Sequence, residues 1–273
     1  MKKTIPTDSS IHTGEVLFNK EVAPGICRMR IFHDEIARTS LPGQFINIRV
    51  SNNMEPFWRR PFSIHATHAD EHWFDILYRV IGIGTQKLAF VKSGEIINFV
   101  GPLGNHFIAD PAITKTSLLV GGGLGIAPMV ILAHYLIQRN IHPIVFYGVR
   151  SQSELCSLPD LQALTSDIYI ATEDGSVGQT GYITESVDAF LRQQTQYNEL
   201  NIYACGPNPM LDRLGQIAEL YHVPCQVSLE TLMGCGIGAC LGCGMKTRNS
   251  EKPYVYVCKE GPVFQAGEID FSE

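Results

Sequence analysis

Four cysteines near the end of the chain have the residue type and the spacing to bind iron. Cys235, Cys240 and Cys243 fall within nine residues, and Cys258 follows fifteen residues after the third. The pattern C-x4-C-x2-C…C is that of plant-type [2Fe-2S] clusters, whose irons are held by four thiolates. The surrounding glycines, which can turn backbone N–H groups toward cluster sulfurs, are Gly234, Gly236, Gly238, Gly242 and Gly244. The stretch therefore predicts a [2Fe-2S] site.

The residues alone leave two other roles possible for the clustered cysteines: a structural zinc site and disulfides. A structural zinc site usually pairs two short C-x2-C units, and only Cys240 and Cys243 form one here. Disulfides belong to exported proteins, but the stretch Met1–Pro6 has two lysines and no apolar core of a signal peptide. We therefore expect a cytoplasmic protein with reduced thiols, in which clustered cysteines bind metal.

Composition narrows the classes of partner. The chain has 273 residues, of which 45% are hydrophobic, so it has enough apolar material for two domains of ordinary size. Its formal net charge of -6 argues against nucleic acid as a partner. No apolar run reaches the ~18 residues of a membrane span, so no membrane partner is expected.

The first hundred residues have the sequence pattern expected of a small antiparallel barrel. Short runs rich in aromatic and β-branched residues alternate with turn signals such as Ala-Pro-Gly and Leu-Pro-Gly. The candidate strands are Glu15–Glu21, Ile26–Phe32, Gln44–Val50, Phe62–His65, Trp73–Val80 and Glu95–Val100. A short helix is predicted at Gly84–Val91, with Thr85 as its cap. These elements define a first predicted domain over residues 1–110.

The barrel carries groups suited to a flavin nucleotide. In the segment Arg60-Pro61-Phe62-Ser63, the arginine offers a planar fork for phosphate and the serine a hydroxyl. An aromatic ring and a second arginine come from Leu77-Tyr78-Arg79, and Gly84-Thr85 would open a helix whose N-terminus favours a diphosphate. The predicted FAD contacts are Arg60, Pro61, Phe62, Ser63, Leu77, Tyr78, Arg79, Gly84 and Thr85.

From residue 111 onward short apolar strands alternate with helices, a pattern typical of a doubly wound parallel α/β domain. The predicted strands are Ser117–Gly121, Pro143–Gly148, Asp167–Ala171, Asn201–Ala204 and Cys225–Leu229, and the predicted helices run from Pro128 to about Arg139 and over Ser153–Leu164, Ile183–Arg192 and Pro209–Tyr221. We place this second domain at residues 111–224 and the cysteine module at residues 225–273.

The ends of these strands predict a nicotinamide nucleotide site, because ligands of such sheets bind at the carboxyl ends of the strands. The glycine stretch from Gly121 fits G-x-G-x-G-x-x-P, with Pro128 suited to the first helical turn. The predicted NAD contacts are Gly122, Gly123, Gly125, Cys205, Gly206 and Pro207. Glu173 and Asp174 would repel a ribose 2′-phosphate and favour NAD over NADP, although Arg150 argues weakly the other way.

Three features thus stand in order: R-P-F-S on a barrel, G-G-G-L-G-I-A-P with C-G-P on an α/β domain, and a four-cysteine module. This order resembles the ferredoxin reductase superfamily. It is most similar to the electron-transfer subunits of the two-protein, NAD-linked dihydroorotate dehydrogenase, above all over Glu230–Cys235 and Val257–Phe264. The resemblance covers nearly the whole chain, and it implies that the R-P-F-S, L-Y-R and G-T residues hold FAD and the four cysteines hold [2Fe-2S].

The resemblance also implies a function and a partner. Electrons would pass from FMN in a dihydroorotate dehydrogenase catalytic subunit through [2Fe-2S] and FAD to NAD+, within UMP biosynthesis and in a heterotetramer of two copies each. Hydride transfer to NAD+ needs no general base, so no residue is predicted to be catalytic. The alternatives are a ferredoxin or hydrogenase-associated reductase subunit of the same superfamily and, from another class, a zinc-stabilised nucleotide-binding interaction module.

Overall fold

The computed structural model describes residues 11–51 and 55–272. They form a closed barrel, a seven-stranded sheet and a two-stranded sheet. The predicted fold class, a β-barrel followed by an α/β domain and a small C-terminal module, is confirmed. Positions 1–10 and 273 of the predicted domains lie outside the described residues, and the exact domain boundaries stay a prediction. No helix in the described ranges is long and apolar enough to cross a membrane.

Six antiparallel strands build the barrel. They are β1 (Ile11–Ala23), β2 (Ile26–Phe32), β3 (Phe45–Arg49), β4 (Arg60–His68), β5 (Trp73–Arg79) and β6 (Ile96–Leu103), and the helices between them are α1 (Asp34–Thr39) and α2 (Ile83–Ala89). The barrel closes in the order β1-β2-β5-β4-β3-β6. All six predicted strands are present, whereas helix α1 was not predicted. Side chains alternate between faces, so Ile46 and Ile48 fill the barrel while Phe45 packs outward against the α/β core.

The α/β domain is a twisted sheet covered on both faces. Its elements are β7 (Thr116–Gly122), α3 (Ala127–Ile137), β8 (His142–Val149), α4 (Leu158–Gln162), β9 (Ile168–Thr172), β10 (Gln179–Thr180), α5 (Ile183–Arg192), β11 (Leu200–Cys205), α6 (Asn208–Tyr221) and β12 (Cys225–Ser228). Apolar residues of α3 pack on one face. Those of α5 and α6 pack on the other. The strand order β10-β9-β8-β7-β11-β12 places the glycine stretch after β7 at the centre of the sheet.

The predicted helix Ser153–Leu164 is wrong in its length. The structure has one turn of 3-10 helix at 152–154, a break, and then the short α4. Pro159 explains the break, because a proline deep inside a helix would lack an N–H and clash with the carbonyl of Leu155. At the second position of α4 its missing N–H costs nothing.

The C-terminal module is tied to the large sheet at both ends. After β12 come the cysteine loop, β13 (Gly244–Lys246), β14 (Tyr254–Tyr256), α7 (Val257–Glu260) and β15 (Val263–Gln265). Strand β15 returns to pair antiparallel with β12 as the last strand of the seven-stranded sheet. The segment between them, which contains the cysteine loop, is therefore anchored to the large sheet at both ends.

An ionic network joins the barrel to the α/β domain. Arg28 of β2 lies 2.6 Å from the fully buried Asp75 and 2.9 Å from Asp160 of α4. His65 of β4 bonds through Nδ1 to the Ala127 carbonyl at 2.8 Å and approaches Asp160 at 3.8 Å. Burial alone would raise the pKa of Asp160, but His65 and Arg28 lower it to about 2. The carboxylate therefore contributes stability at neutral pH, where it holds the two domains together.

Candidate functional site

The four cysteines lie around one loop. The sulfurs of Cys243 and Cys258 are 3.2 Å apart, and the Cys235 N–H approaches Cys240 Sγ at 3.5 Å. Two adjacent amides link these pairs, because Gly238 N–H donates to Cys258 Sγ at 3.1 Å and the next N–H, of Ala239, donates to Cys235 Sγ at 3.2 Å. The structure thus places the four predicted ligands as two neighbouring pairs, Cys235 with Cys240 and Cys243 with Cys258. Among the described residues, no three metal-ligating side chains are already gathered at the spacing of a bound metal ion.

The electrostatics of the loop suit sulfur anions. Burial would raise the pKa of Cys235, but N–H groups of Ile237, Ala239 and Cys240 lower it to about 7. Burial and the neighbouring Cys243 thiol raise the pKa of Cys258 to about 12. A bound iron ion would stabilise the thiolate form of both cysteines. Two close cysteine pairs, linked by amide donors, supply the kind of donor set that a [2Fe-2S] cluster takes.

The loop reaches the surface within a group of exposed apolar side chains. Leu232 is 91% exposed, Ile237 54% and Leu241 52%. From the barrel, the Trp58 ring lies 3.7 Å from the position that a Cβ would take on Gly234. We name Phe57, Trp58, Leu232, Ile237 and Leu241 the apolar rim. An exposed apolar group of this kind beside a metal site is typical of a docking surface.

Part of the predicted FAD segment is assembled around the start of α2. The guanidinium of Arg60 lies 3.0 Å from the position that a Cβ would take on Gly84, so a larger residue there would displace it. The hydroxyl of Thr85 accepts the N–H groups of Ile81 and Gly82. The helix begins at Ile83 with Gly82 as its N-cap, so Thr85 stabilises the helix start from the third helical position and is not the N-cap itself. Ser63 is half-buried on β4 opposite Phe45.

The predicted FAD residues Leu77, Tyr78 and Arg79 lie in different environments. The Tyr78 side chain lies inside the barrel, where its hydroxyl donates to Asn19 at 2.7 Å and its ring faces Phe62 at 5.6 Å. Burial raises the pKa of that hydroxyl. Leu77 is also buried. The Tyr78 ring therefore points away from the outer face of the barrel, while Leu77, as its neighbour on the strand, points to that face. Arg79 reaches across to the α/β domain and pairs with Glu154 at 3.0 Å.

The predicted NAD residues meet at a cavity of about 810 Å³. It lies at the carboxyl ends of β7, β8 and β11, and its lining includes Gly122, Gly123, Gly125, Gly206, Pro207 and Arg79. Cys205 is buried directly beneath, since a Cβ on Gly125 would come within 2.2 Å of the Cys205 carbonyl. Gly125 is therefore required for the close approach of this turn to β11. The volume is of the size expected for a cofactor site.

The cavity also contains charges that the sequence did not single out. Glu230 follows the end of β12 and lines the cavity. Its side chain is open to the cavity space, and the surrounding protein desolvates it enough to raise its pKa. Burial and the Glu230 charge together raise the pKa of Cys205 well above its usual range. Glu230 could have been identified from the sequence by its position directly after a strand of the parallel sheet, where ligands of such sheets bind. Both Arg150 and Glu173, which argued in opposite directions about the 2′-phosphate, line the same cavity.

Several proteins with assigned functions are similar along the whole chain. The chain is 38% identical over 263 residues to a Bacillus pumilus protein named dihydroorotate dehydrogenase B (NAD(+)), electron transfer subunit, covering 94% of this chain and 97% of that one. A Fusobacterium nucleatum protein of the same name is 35% identical over 256 residues, or 92% of this chain and 95% of its own. The iron-sulfur cluster binding domain of dihydroorotate dehydrogenase B matches residues 230–270, and the oxidoreductase NAD-binding domain matches residues 119–215.

Solved structures agree on the fold. An NADH-dependent reduced ferredoxin-NADP oxidoreductase superposes with a TM-score of 0.82 at 26% identity, covering 99% of this chain and 92% of that one. A ferredoxin NADP+ reductase from Neisseria gonorrhoeae with bound FAD and NADP superposes with a TM-score of 0.65 over 78% of this chain and 92% of its own. At 18% identity, this second likeness shows the fold alone.

Proposed function

The chain belongs to the family of electron transfer subunits of dihydroorotate dehydrogenase B (NAD(+)), and we propose that it delivers electrons from dihydroorotate oxidation to NAD+ in pyrimidine biosynthesis. The proposed route starts at FMN in a partner subunit and continues through [2Fe-2S] and FAD to NAD+. Flavin exchanges one or two electrons, which matches a one-electron cluster to a two-electron nicotinamide. No proton needs to be moved by a side chain at the nicotinamide.

One observation carries the proposal: the cysteine loop lies between the surface and the barrel. Cys240 is exposed beside the apolar rim, whereas Cys243 and Cys258 are buried. On its inner side the loop contacts strand β3, the neighbour of the strand that begins with Arg60. The thiols would hold the cluster, Arg60 would bind a flavin phosphate, and the turn around Gly123 would bind the dinucleotide.

The partner is proposed to be an FMN-containing dihydroorotate dehydrogenase catalytic subunit, joined in a heterotetramer of two copies each. The apolar rim supports a partner at this place, because docking there would cover exposed apolar surface and bring the partner close to the cluster. We also infer a cytoplasmic location, since eight free thiols, four of them proposed as metal ligands, suit a reducing compartment.

A coupling assay tests the proposal. The protein, reconstituted with iron, sulfide and FAD, is mixed with an FMN-bearing dihydroorotate dehydrogenase subunit, and NADH formation from dihydroorotate is followed. We expect NADH to form only when both proteins are present. Absence of NADH, together with rapid electron exchange with ferredoxin, would instead assign the chain to ferredoxin-linked reductases. The high TM-score of 0.82 to a ferredoxin-linked oxidoreductase makes this the second candidate.

Metal analysis separates both candidates from a zinc-stabilised interaction module. The proposal requires a brown-yellow protein with iron, labile sulfide and FAD. A colourless protein that contains one zinc ion and no flavin would contradict both redox functions.

A further inference from the structure

A buried asparagine connects the barrel to the cysteine loop. Asn47 lies on β3 and is fully buried. Its Nδ2 donates to the carbonyl of Cys235 at 3.1 Å, across 188 positions of sequence. A Cβ on Gly236, whose φ is +71°, would come within 2.3 Å of the same nitrogen. The Asn47 amide therefore packs directly against the backbone at Cys235 and Gly236. Any side chain at position 236 would collide with it.

Asn47 also lies directly opposite β4, the strand that carries four of the predicted FAD residues. Asn47 pairs in register with Pro61 of the R-P-F-S segment, and two positions earlier Phe45 pairs with Ser63. Residues directly opposite one another on antiparallel strands point to the same face. Asn47 thus shares the outer face of the barrel with Pro61 and Ser63 while its amide contacts the cysteine loop. It is a direct side-chain link between the two proposed cofactor segments.

The orientation of the amide is set by this contact. A carbonyl accepts only from the NH2 group, so the Cys235 carbonyl fixes which way the Asn47 amide faces. Its Oδ1 is buried and has no hydrogen-bond partner among the described residues. A buried acceptor without a donor is destabilising. A folded protein that keeps such a group usually uses it, as a rigid spacer or as an acceptor for a bound group or water.

We propose that Asn47 is a positioning residue for electron transfer: it holds the cysteine loop at a fixed distance and orientation from the flavin face of the barrel. The proposal rests on the proposed function, because it concerns the step between cluster and flavin. Removing the contact should loosen loop 234–240 while leaving the four thiols in the chain. Electron exchange between the two cofactors should then slow, because electron transfer weakens as the distance between the two centres grows and their relative orientation is lost.

Two independent changes at the same contact test this. N47L keeps the approximate side-chain size but removes the donor, and G236A pushes the amide away from the other side. I48V serves as the matched control, because Ile48 is the next residue of β3 but points into the barrel. Three quantities are compared: hydrogen exchange of the amides in 234–240, the EPR spectrum of the NADH-reduced cluster, and the stopped-flow rate of cluster bleaching by NADH. Each bleaching rate is divided by the NADH-to-dye rate of the same variant, which reports the flavin and nucleotide sites.

We expect hydrogen exchange in 234–240 to rise about tenfold in N47L and G236A, because each variant loses one buried hydrogen bond. The normalised bleaching rate should fall several-fold, because the cluster is no longer held at one distance from the flavin. The EPR spectrum should broaden, and I48V should match the wild type in all three. Faster exchange with an unchanged bleaching rate would reduce Asn47 to a structural contact and overturn the proposal, as would wild-type behaviour throughout. If NADH failed to bleach the cluster even in the wild type, the proposed function would fail rather than the role of Asn47.

Discussion

The cysteine loop and the nucleotide cavity are assembled in opposite ways. The loop carries three of the four thiols in nine residues, and its own N–H groups at Gly238, Ala239 and Cys240 donate to the sulfurs. The cavity draws its lining from the ends of separate strands, as Arg79, Arg150 and Glu230 illustrate. Damage to the loop should therefore stay local, whereas damage to the scaffold should change several cavity contacts at once.

The strongest test of a self-contained loop is C240S. Serine oxygen is a poor ligand for this cluster, so we expect the iron and sulfide content to collapse and partner-coupled NAD+ reduction to be abolished. NADH-to-dye activity should partly survive, because the nucleotide cavity does not use the loop. C156S is the control, since Cys156 is a partly exposed thiol far from the cluster in sequence. Partner-coupled activity that persists in C240S would show that the cluster is not on the route.

The corresponding test of the cavity is G125A. The new Cβ would meet the Cys205 carbonyl at 2.2 Å, and backbone on both sides must move. We expect the Kd for NADH to rise about tenfold, which corresponds to ~1.4 kcal/mol, while the EPR spectrum of the cluster stays unchanged. G267A is the control, because a Cβ there meets no atom within 4 Å. Equal NADH affinity in both variants would remove the glycine turn from the proposed site.

A third change weakens the scaffold between the two domains. D160N removes the carboxylate that faces Arg28 and His65, and it should lower the free energy of unfolding by about 2 kcal/mol at pH 7. The folded pKa of Asp160 is about 2, below its ordinary value of 3.8. Its contribution is therefore complete above pH 3.8 and is lost as pH falls through about 2.

Urea unfolding of wild type and D160N at several pH values measures this effect. The gap between the two proteins should close as the pH falls from about 4 to about 2. R192Q, which breaks an exposed ion pair with Asp188, is the control and should leave the profile unchanged. A gap that stays constant with pH would show that the Asp160 charge does not hold the domains together.

The smallest expected effect concerns the apolar rim. L232S replaces a side chain that is 91% exposed, so the isolated protein should keep its stability and its cluster. We expect its Kd for the FMN-bearing subunit to rise about fivefold, in line with a loss of ~1 kcal/mol from one interface side chain. L220S removes another exposed leucine, on α6, and should not change that affinity. Equal affinities of both variants would move the docking surface elsewhere.

The features that depend on residues close in sequence could be predicted from the sequence. The period of the strands and the Gly-Pro punctuation predicted the barrel and the α/β domain, which the structure confirms. The spacing of the four cysteines predicted an iron-sulfur site, and its individual ligands stay a prediction. Each of these depends on residues close in sequence, whose backbone geometry is set by neighbouring side chains. The prediction failed at α4 because the helical pattern outweighed the proline at 159, and it missed α1, which is only six residues long.

The contacts between distant segments were decided by the tertiary structure alone. By itself the sequence determined that four thiols would be available and which segments would carry them. It held no signal that β15 would pair with β12, that Asp160 would reach Arg28, or that Asn47 would bond to Cys235. Such pairings depend on how whole elements pack. A polar residue in a strand gives the same sequence pattern whether its side chain faces water or another domain. The proposed ligands of the cluster are therefore a property of the sequence, whereas the contact between the cysteine loop and the barrel is a property of the fold.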